Sequence, residues 1–564
     1  MTLAVDLRII LPELIVAAAV IVVLVVDLLP RERGRRALVP LTIAGLAAAA
    51  LAVLTLGERG AGFDGTYVRD GATVALQTIA LLGAALAALL SQSYLRRWRL
   101  ERGEYYALLL SACLGAMVMA AGADLIVLFL GLETLSIPLY VMAAFGRGNV
   151  RSQEAGMKYF LLGSFSTAFF LYGVALLYGA AGGTGLSALA RAAAGGGAGV
   201  LLRAGVALLT IGLAFKAALV PFHAWAPDVY EGSPLPVTAY MSVIAKVGAF
   251  AAALRVFPGA LAALGGQWTP LLSALAITTM ILGNLVALAQ RSMKRLLAYS
   301  SIAHAGYLLM GVAAGTPDGA WAMTFYLAVY LFMTLGAFAV VLLLERAGEE
   351  ADAIEDYTGL GARAPWLAGA MAIFMASLAG MPPTAGFIGK FYLFNASLGA
   401  GQVAVAVVAA LSTVVSVYYY LRVPYLMFSG TPRPGVAIVS APGVRFTILA
   451  AAAAVLLLGI LPGPLTDAVR TTATPRAEDR MRPIPGQPEI AKVKVTAAGE
   501  ISLNGRPVTL EELKREFLRL KQVGGAVWYH RENPAEDPPP EAMAVIEAVA
   551  AAGLPIRLVE QDFE

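Results

Sequence analysis

Four ionisable side chains lie deep inside apolar stretches of the chain: Glu133 in LFLGLETLSIPLY, Lys216 in LAFKAALVPFHAW, Lys246 in YMSVIAKVGAFAAAL and Lys390 in GFIGKFYLF. Each charge held at the middle of a bilayer helix costs roughly 2.5–3.5 kcal/mol on insertion scales, so four would add roughly 10 kcal/mol if unpaired. Residues kept at that cost usually face a bundle interior and mark a functional site. The chemistry suits proton handling. An amine withdrawn from water loses its preference for the charged form, and a nearby carboxylate restores it. A Glu–Lys pair that opens and closes would therefore move the lysine between holding and releasing a proton. Glu133 is the expected partner of Lys216. For any single lysine the competing reading is a structural hydrogen-bond partner or a side chain snorkelling to the interface. His223, just after the break at Pro221, and His304, in LAYSSIAHAGYLLMG, fit the same relay, since histidine as a residue type titrates near physiological pH and can shuttle protons. Their competing readings are a helix cap for His223 and a buried hydrogen-bonding group for His304. Neither has Cys, His or carboxylate neighbours at metal-ligand spacing.

These residues need a membrane bundle to hold them. Of 564 residues, 59% are hydrophobic and 14% charged, with a mean hydropathy of +0.75. Soluble domains carry about 25% charged residues. Apolar runs of about 20 residues, each able to cross the hydrocarbon core, recur along residues 1–465. They predict an all-α polytopic domain of about fourteen spans, the seventh containing Lys216, the eighth Lys246 and the twelfth Lys390. The seventh breaks at VPFHAW and the twelfth at GMPPTAGF. Two proline-broken spans, each with one lysine and five spans apart, point to inverted-topology repeats, in which broken helices mark an ion path. Basic clusters at RERGRR, RRWRLER, GRGNVR and QRSMKR fall in alternate loops. The positive-inside rule then sets both termini on the outer face of a cell membrane. PDVYEGSP (227–234) reads as a turn in a cytoplasmic loop. The single cysteine, Cys113, excludes an internal disulfide, and the net charge of +4 suggests no nucleic-acid partner. No phosphate-binding glycine loop, haem motif or iron–sulfur cysteine spacing occurs in the chain.

Residues 466–489 read as a polar linker, and 490–564 as a small soluble α+β domain outside the membrane. KVKVTAAGEISLNG alternates like strands, TLEELKREFLRLKQ has helical spacing, GAVWYHREN is strand-like, PEAMAVIEAVAAAGL helical, and PIRLVEQ ends as a strand. His530 is expected at the surface of that domain.

The strings FKAALVPFHAWAPDVYEGSPLPVTAYMSVIAKVGAF, SMKRLLAYSSIAHAGYLLMG and GMPPTAGFIGKFYLF resemble the antiporter-like membrane subunits of proton-pumping NADH:quinone oxidoreductase, respiratory complex I. The resemblance covers residues 1–465. Within that group it is to the subunit N branch, through Lys390 in the twelfth span and SVYYYLRV in the thirteenth. It implies that Glu133 modulates Lys216, that Lys246 is the central relay lysine and Lys390 the terminal one, and that His304 lies on the polar axis between them. It also implies a bacterial inner-membrane location and other complex I membrane subunits as partners. NADH, FMN, iron–sulfur clusters and quinone would then be handled by partner subunits, with no cofactor and no metal on this chain. The relatives that share the scheme are Mrp-type cation/proton antiporter subunits and membrane-bound hydrogenase arms, and these stand as the alternative function. The C-terminal segment departs from the branch and resembles the periplasmic domain of ExbD/TolR-type proteins, which implies a contact module for a neighbouring subunit or envelope component.

Overall fold

The structure is a computed structural model that describes residues 2–29, 31–56, 60–195, 199–346, 348–473, 490–496, 499–522, 526–531, 539–554 and 556–558. It divides into two compact units, Met1–Pro475 and Arg476–Glu564.

The first unit is helical. α1 (Thr2–Ile9), α2 (Leu11–Asp27) and α3 (Arg31–Thr55) are followed by a hairpin of β1 (Gly60–Gly62) and β2 (Tyr67–Arg69). Then come α4 (Gly71–Arg97), α5 (Gly103–Ala121), α6 (Leu125–Ala143), α7 (Val150–Ala181) and the short α8 (Leu186–Ala194). α9 (Val200–Ala217) stops early, and α10 (Trp225–Gly232) precedes α11 (Leu235–Leu254), α12 (Gly265–Leu288), α13 (Met293–Ala313) and α14 (Pro317–Leu342). The strands β3 (Leu344–Arg346) and β4 (Glu349–Glu350) lead to α15 (Leu360–Arg363), α16 (Pro365–Ala379), α17 (Ala385–Gly399) and α18 (Val403–Phe428). β5 (Val436–Ile438) joins β3 and β4 in a small sheet of order β4-β3-β5, and α19 (Pro442–Ile460) and α20 (Gly463–Ala473) follow.

Among the described residues, twelve helices are long and apolar enough to cross a membrane. The expectation of fourteen crossings adds α2, which has 17 residues, and the pair α16 and α17, with 15 each. Burial sorts the helices. α11, α13 and α14 are almost wholly covered by their neighbours, whereas α3, α7 and α19 leave most of their surface uncovered. The centre of the bundle is therefore where Lys246 and His304 sit. Close approach there depends on small residues, as expected where packing rather than hydrophobicity holds helices together. A Cβ on Gly115 of α5 would lie 2.2 Å from the Leu135 nitrogen of α6.

Two local expectations change. PDVYEGSP is mostly the helix α10 rather than a turn, with Pro227 in the first turn, where a missing N–H costs nothing. Its Asp228 accepts from Lys158 of α7 at 2.9 Å and Arg295 of α13 at 3.1 Å, which fixes the helix against both. The stretch read as the start of a linker at 466 is α20, which packs on α4 and α14 and places Arg470 4.2 Å over the Trp321 ring. Residues 474–489 lie outside the described residues.

The second unit is a five-stranded sheet of order β10-β9-β6-β7-β8, made of β6 (Ile490–Val495), β7 (Ile501–Leu503), β8 (Arg506–Pro507), β9 (Ala526–Arg531) and β10 (Ile556–Leu558). β6, β9 and β10 run parallel, and β7 and β8 are antiparallel additions. α21 (Leu510–Gln522) and α22 (Pro540–Ala552) contact each other, and their apolar residues share one core with the sheet, including Val493, Phe517, Val527 and Val545. His530 is only 6% exposed, not a surface residue, on β9 between β10 and β6.

Candidate functional site

Lys216 occupies the last turn of α9, 3% exposed. The helix ends because Ala218 takes a left-handed conformation (φ 58°), which turns the chain out of the helix while its N–H still donates to Phe215 O at 3.0 Å. Phe215 O also accepts from the indole N–H of Trp225 at 3.0 Å, and Val220 N donates to Thr279 Oγ1 at 3.0 Å, so the interruption is braced from both sides. Trp225 stacks on Tyr159 with ring centroids 4.4 Å apart. The Lys216 amine donates to Ser136 Oγ at 2.9 Å and Tyr159 OH at 3.4 Å, and lies within 6 Å of the Tyr140 and Tyr159 rings.

The expected Glu133–Lys216 pair is not in contact. Neither a hydrogen bond nor an ion pair joins them; Glu133, half-buried on α6, accepts from Thr167 of α7 at 2.8 Å. Ser136, three residues further along α6, holds the position nearest the amine.

Lys246, in the unbroken α11 and 2% exposed, donates to Ser301 Oγ of α13 at 2.7 Å. Ser301 is a hub: Tyr330 OH of α14 donates to it at 2.9 Å, and Tyr230 OH of α10 lies 3.3 Å away. One turn on, His304 is 1% exposed, with Tyr326 OH 2.7 Å from Nδ1 and Tyr420 OH 3.0 Å from Nε2. A neutral imidazole has one donor and one acceptor nitrogen, so two hydroxyls that can do either satisfy both tautomers. Tyr420 is also hydrogen-bonded to Ser300.

Lys390, 2% exposed in α17, reaches back to the end of α16, where its amine donates to Leu378 O at 3.1 Å and Ala379 O at 3.2 Å. Those carbonyls are the orphans of an interrupted helix and carry the negative end of its dipole, so an ammonium suits them. Gly380 has a left-handed φ of 82°, and a Cβ there would meet Lys390 Cδ at 2.8 Å, so the turn requires glycine on both counts. The amine lies 4.6 Å from the Tyr307 ring centroid, and Tyr307 in turn is 5.9 Å from the His304 ring.

The three lysines and His304 are thus all interior and share a belt of tyrosines. Direct side-chain hydrogen bonds fall into three groups, around Lys216, around Lys246 with Ser301, and around His304. Lys390 bonds to backbone. His223 stands apart: it is half-buried, and its Nδ1 has no hydrogen-bond partner among the described residues. Sequence reasoning missed Ser136, Ser301, Tyr330, Tyr326 and Tyr420. Their signal was present as polar residues in otherwise apolar runs, at TLSIP, SSIAH, FYLAVYLF and VYYYLRV. Among the described residues no group of three or more His, Cys, Asp or Glu side chains could hold a metal.

A family model described as NADH:quinone oxidoreductase/Mrp antiporter, TM, matches residues 122–416, which hold the lysines, Glu133 and both histidines. NADH-quinone oxidoreductase subunit N of Trichlorobacter lovleyi is 45% identical over 81% of this chain and 95% of its own length. The subunit N of Chloroflexus aggregans is 44% identical over 82% and 96%. The chain belongs to the NADH-quinone oxidoreductase subunit N family. Among solved structures, a chain of respiratory complex I from Thermus thermophilus with bound aureothin matches this subunit N family member with a TM-score of 0.71 and 38% identity, over 81% of this chain and 99% of that one. A chain of the Mrp complex from Dietzia sp. DQ12-45-1b has a TM-score of 0.72 at 23% identity, over 83% and 97%, which shows a shared fold.

Proposed function

We propose that the chain is the proton-translocating membrane subunit of a bacterial NADH:quinone oxidoreductase, moving protons along Lys216, Lys246, His304 and Lys390. NADH oxidation and quinone reduction, with FMN and iron–sulfur clusters, take place in partner subunits, and both termini face outward, as the alternation of basic loops suggests. The fourteen-span count and the inverted-repeat arrangement belong to the same proposal and are supported by the interruptions after Ala217 and Ala379.

One observation carries the reading. Lys246 is buried at the centre of the bundle on a serine that collects two tyrosine hydroxyls, with no carboxylate bonded to it among the described residues. A permanent ammonium held only for structure is better served by a paired anion. An amine on a neutral hydroxyl hub can bind and release a proton without separating an ion pair. Water bridging the groups completes the line, since polar sites of this kind hold bridging waters at little cost. Glu133 sets the field at Lys216 from a distance, and His223 serves the half-channel at the interruption of α9. The second unit is a contact module for a neighbouring subunit or an envelope component.

Replacing Lys246 with alanine in the assembled complex tests this. NADH-driven acidification of reconstituted vesicles should fall several-fold while the complex still assembles; native pumping would refute the relay. The Mrp-type antiporter reading shares the fold, and sodium-dependent proton exchange without quinone reduction would favour it instead.

A further inference from the structure

One buried carboxyl lies outside that line. Glu13, in the first turn of α2, is 6% exposed. Its Oε1 accepts from both Tyr67 OH of β2 and Gln77 Nε2 of α4, and Gln77 Nε2 also points to Met117 O of α5 at 3.3 Å. Its Oε2 is buried and has no hydrogen-bond partner among the described residues, and the same holds for Gln77 Oε1. A carboxylate is acceptor-only, so an enclosed oxygen with no donor leaves it unsatisfied. A carboxylic acid brings its own donor on that oxygen, and Gln77 supplies an unused acceptor.

The charged and titratable neighbours are few. Arg69 of β2 directs Nη2 to the carbonyls of Ala52, Val53 and Leu56 at the end of α3. Arg255 grips Asp70 through both terminal nitrogens, at 2.5 and 2.8 Å. Cys113 of α5 is buried nearby. The Tyr67 ring packs with Ile9 and Ala121, so the hairpin covers the site with apolar surface and aims one hydroxyl inward.

We propose that Glu13, Tyr67 and Gln77 form a proton-binding site at the N-terminal end of α2, loaded and emptied through Glu13 Oε2. A hydronium ion gives its proton to Oε2, forming one O–H bond, and release returns the proton to water; no electrons move. Any part this site takes in turnover rests on the proton-translocating reading, but its occupancy does not.

Infrared spectroscopy of the assembled complex separates the two. A protonated buried carboxyl gives a C=O band that shifts to lower frequency in D2O. Glu13→Gln, which keeps the shape and one acceptor, should remove one such band. Tyr67→Phe, which leaves Glu13 in place, should move that band to higher frequency, because Oε1 loses a donor. If the Glu13→Gln complex does not assemble, the Tyr67→Phe shift alone decides the matter. Spectra of either variant identical to native, or a band abolished by sodium ions alone, would overturn the proposal, the latter by making the site a metal-cation site. Should Lys246→Ala pump normally while the Glu13 band behaves as stated, the relay fails and this site stands.

Discussion

Ser301→Ala removes the hub without touching any titrating group, and so asks whether the hydroxyl matters to proton movement. In the native protein Ser301 Oγ takes the Lys246 amine at 2.7 Å and Tyr330 OH at 2.9 Å, with Tyr230 OH at 3.3 Å. Alanine leaves all three without that partner in a region closed to bulk water. A hydrogen bond to a charged group contributes about 1.5–3 kcal/mol. The proton-loaded amine loses that amount, whereas the neutral amine loses less. If loading Lys246 governs transfer, the step slows roughly 10- to 150-fold. The assay is the complex reconstituted into vesicles, with quinone reduction and internal acidification followed together. Ser301→Thr, which keeps an oxygen at the same place, should retain most of the activity, and a native gel checks assembly. An assembled Ser301→Ala complex that acidifies vesicles at the native rate would refute the reasoning.

Two further outcomes follow from geometry elsewhere. In Gly386→Ala, the new Cβ would lie 1.9 Å from Ser377 O, so α17 must move away from α16; the thermal midpoint of the solubilised complex should fall by an amount corresponding to about 1–3 kcal/mol, and an unchanged midpoint would contradict the contact. Asp228 has its carboxyl held below the usual range by the hydrogen bond from Lys158, with Arg295 adding to it against the opposing effect of burial. A depressed folded value means that the stability is present above the unfolded value and lost as pH falls through the folded one. Asp228→Asn should therefore lower the midpoint at neutral pH, and the gap should close only below about pH 4. Because Asp228 is 43% exposed, added salt should narrow the gap; a gap that closes nearer neutrality would refute the assignment.

What the amino-acid pattern revealed and concealed follows from the physics of each residue. A lysine inside an apolar run contradicts its surroundings, so Lys216, Lys246 and Lys390 announce themselves, and all three are interior. Their partners do not. Tyrosine and serine are ordinary in bundle helices, and only the packing of α11, α13 and α14 makes Ser301 an acceptor for Lys246 and Tyr330. Glu133 was the expected partner of Lys216 because charge suggests pairing, but which residue of α6 faces α9 is a matter of helix rotation, and Ser136 faces it. Glu13 passed unnoticed because it sits near the start of an apolar run, where water is normally in reach. A hairpin formed some fifty residues later encloses it. α20 was hidden for the opposite reason: its polar composition resembles a linker, and its apolar side is used only once α4 and α14 are in place.

The ammonium of Lys390 clasps the carbonyl end of α16. A charged amine holds those oxygens more strongly than a neutral one would. At this interruption the charge on the amine and the placement of two backbone carbonyls are tied together by two hydrogen bonds.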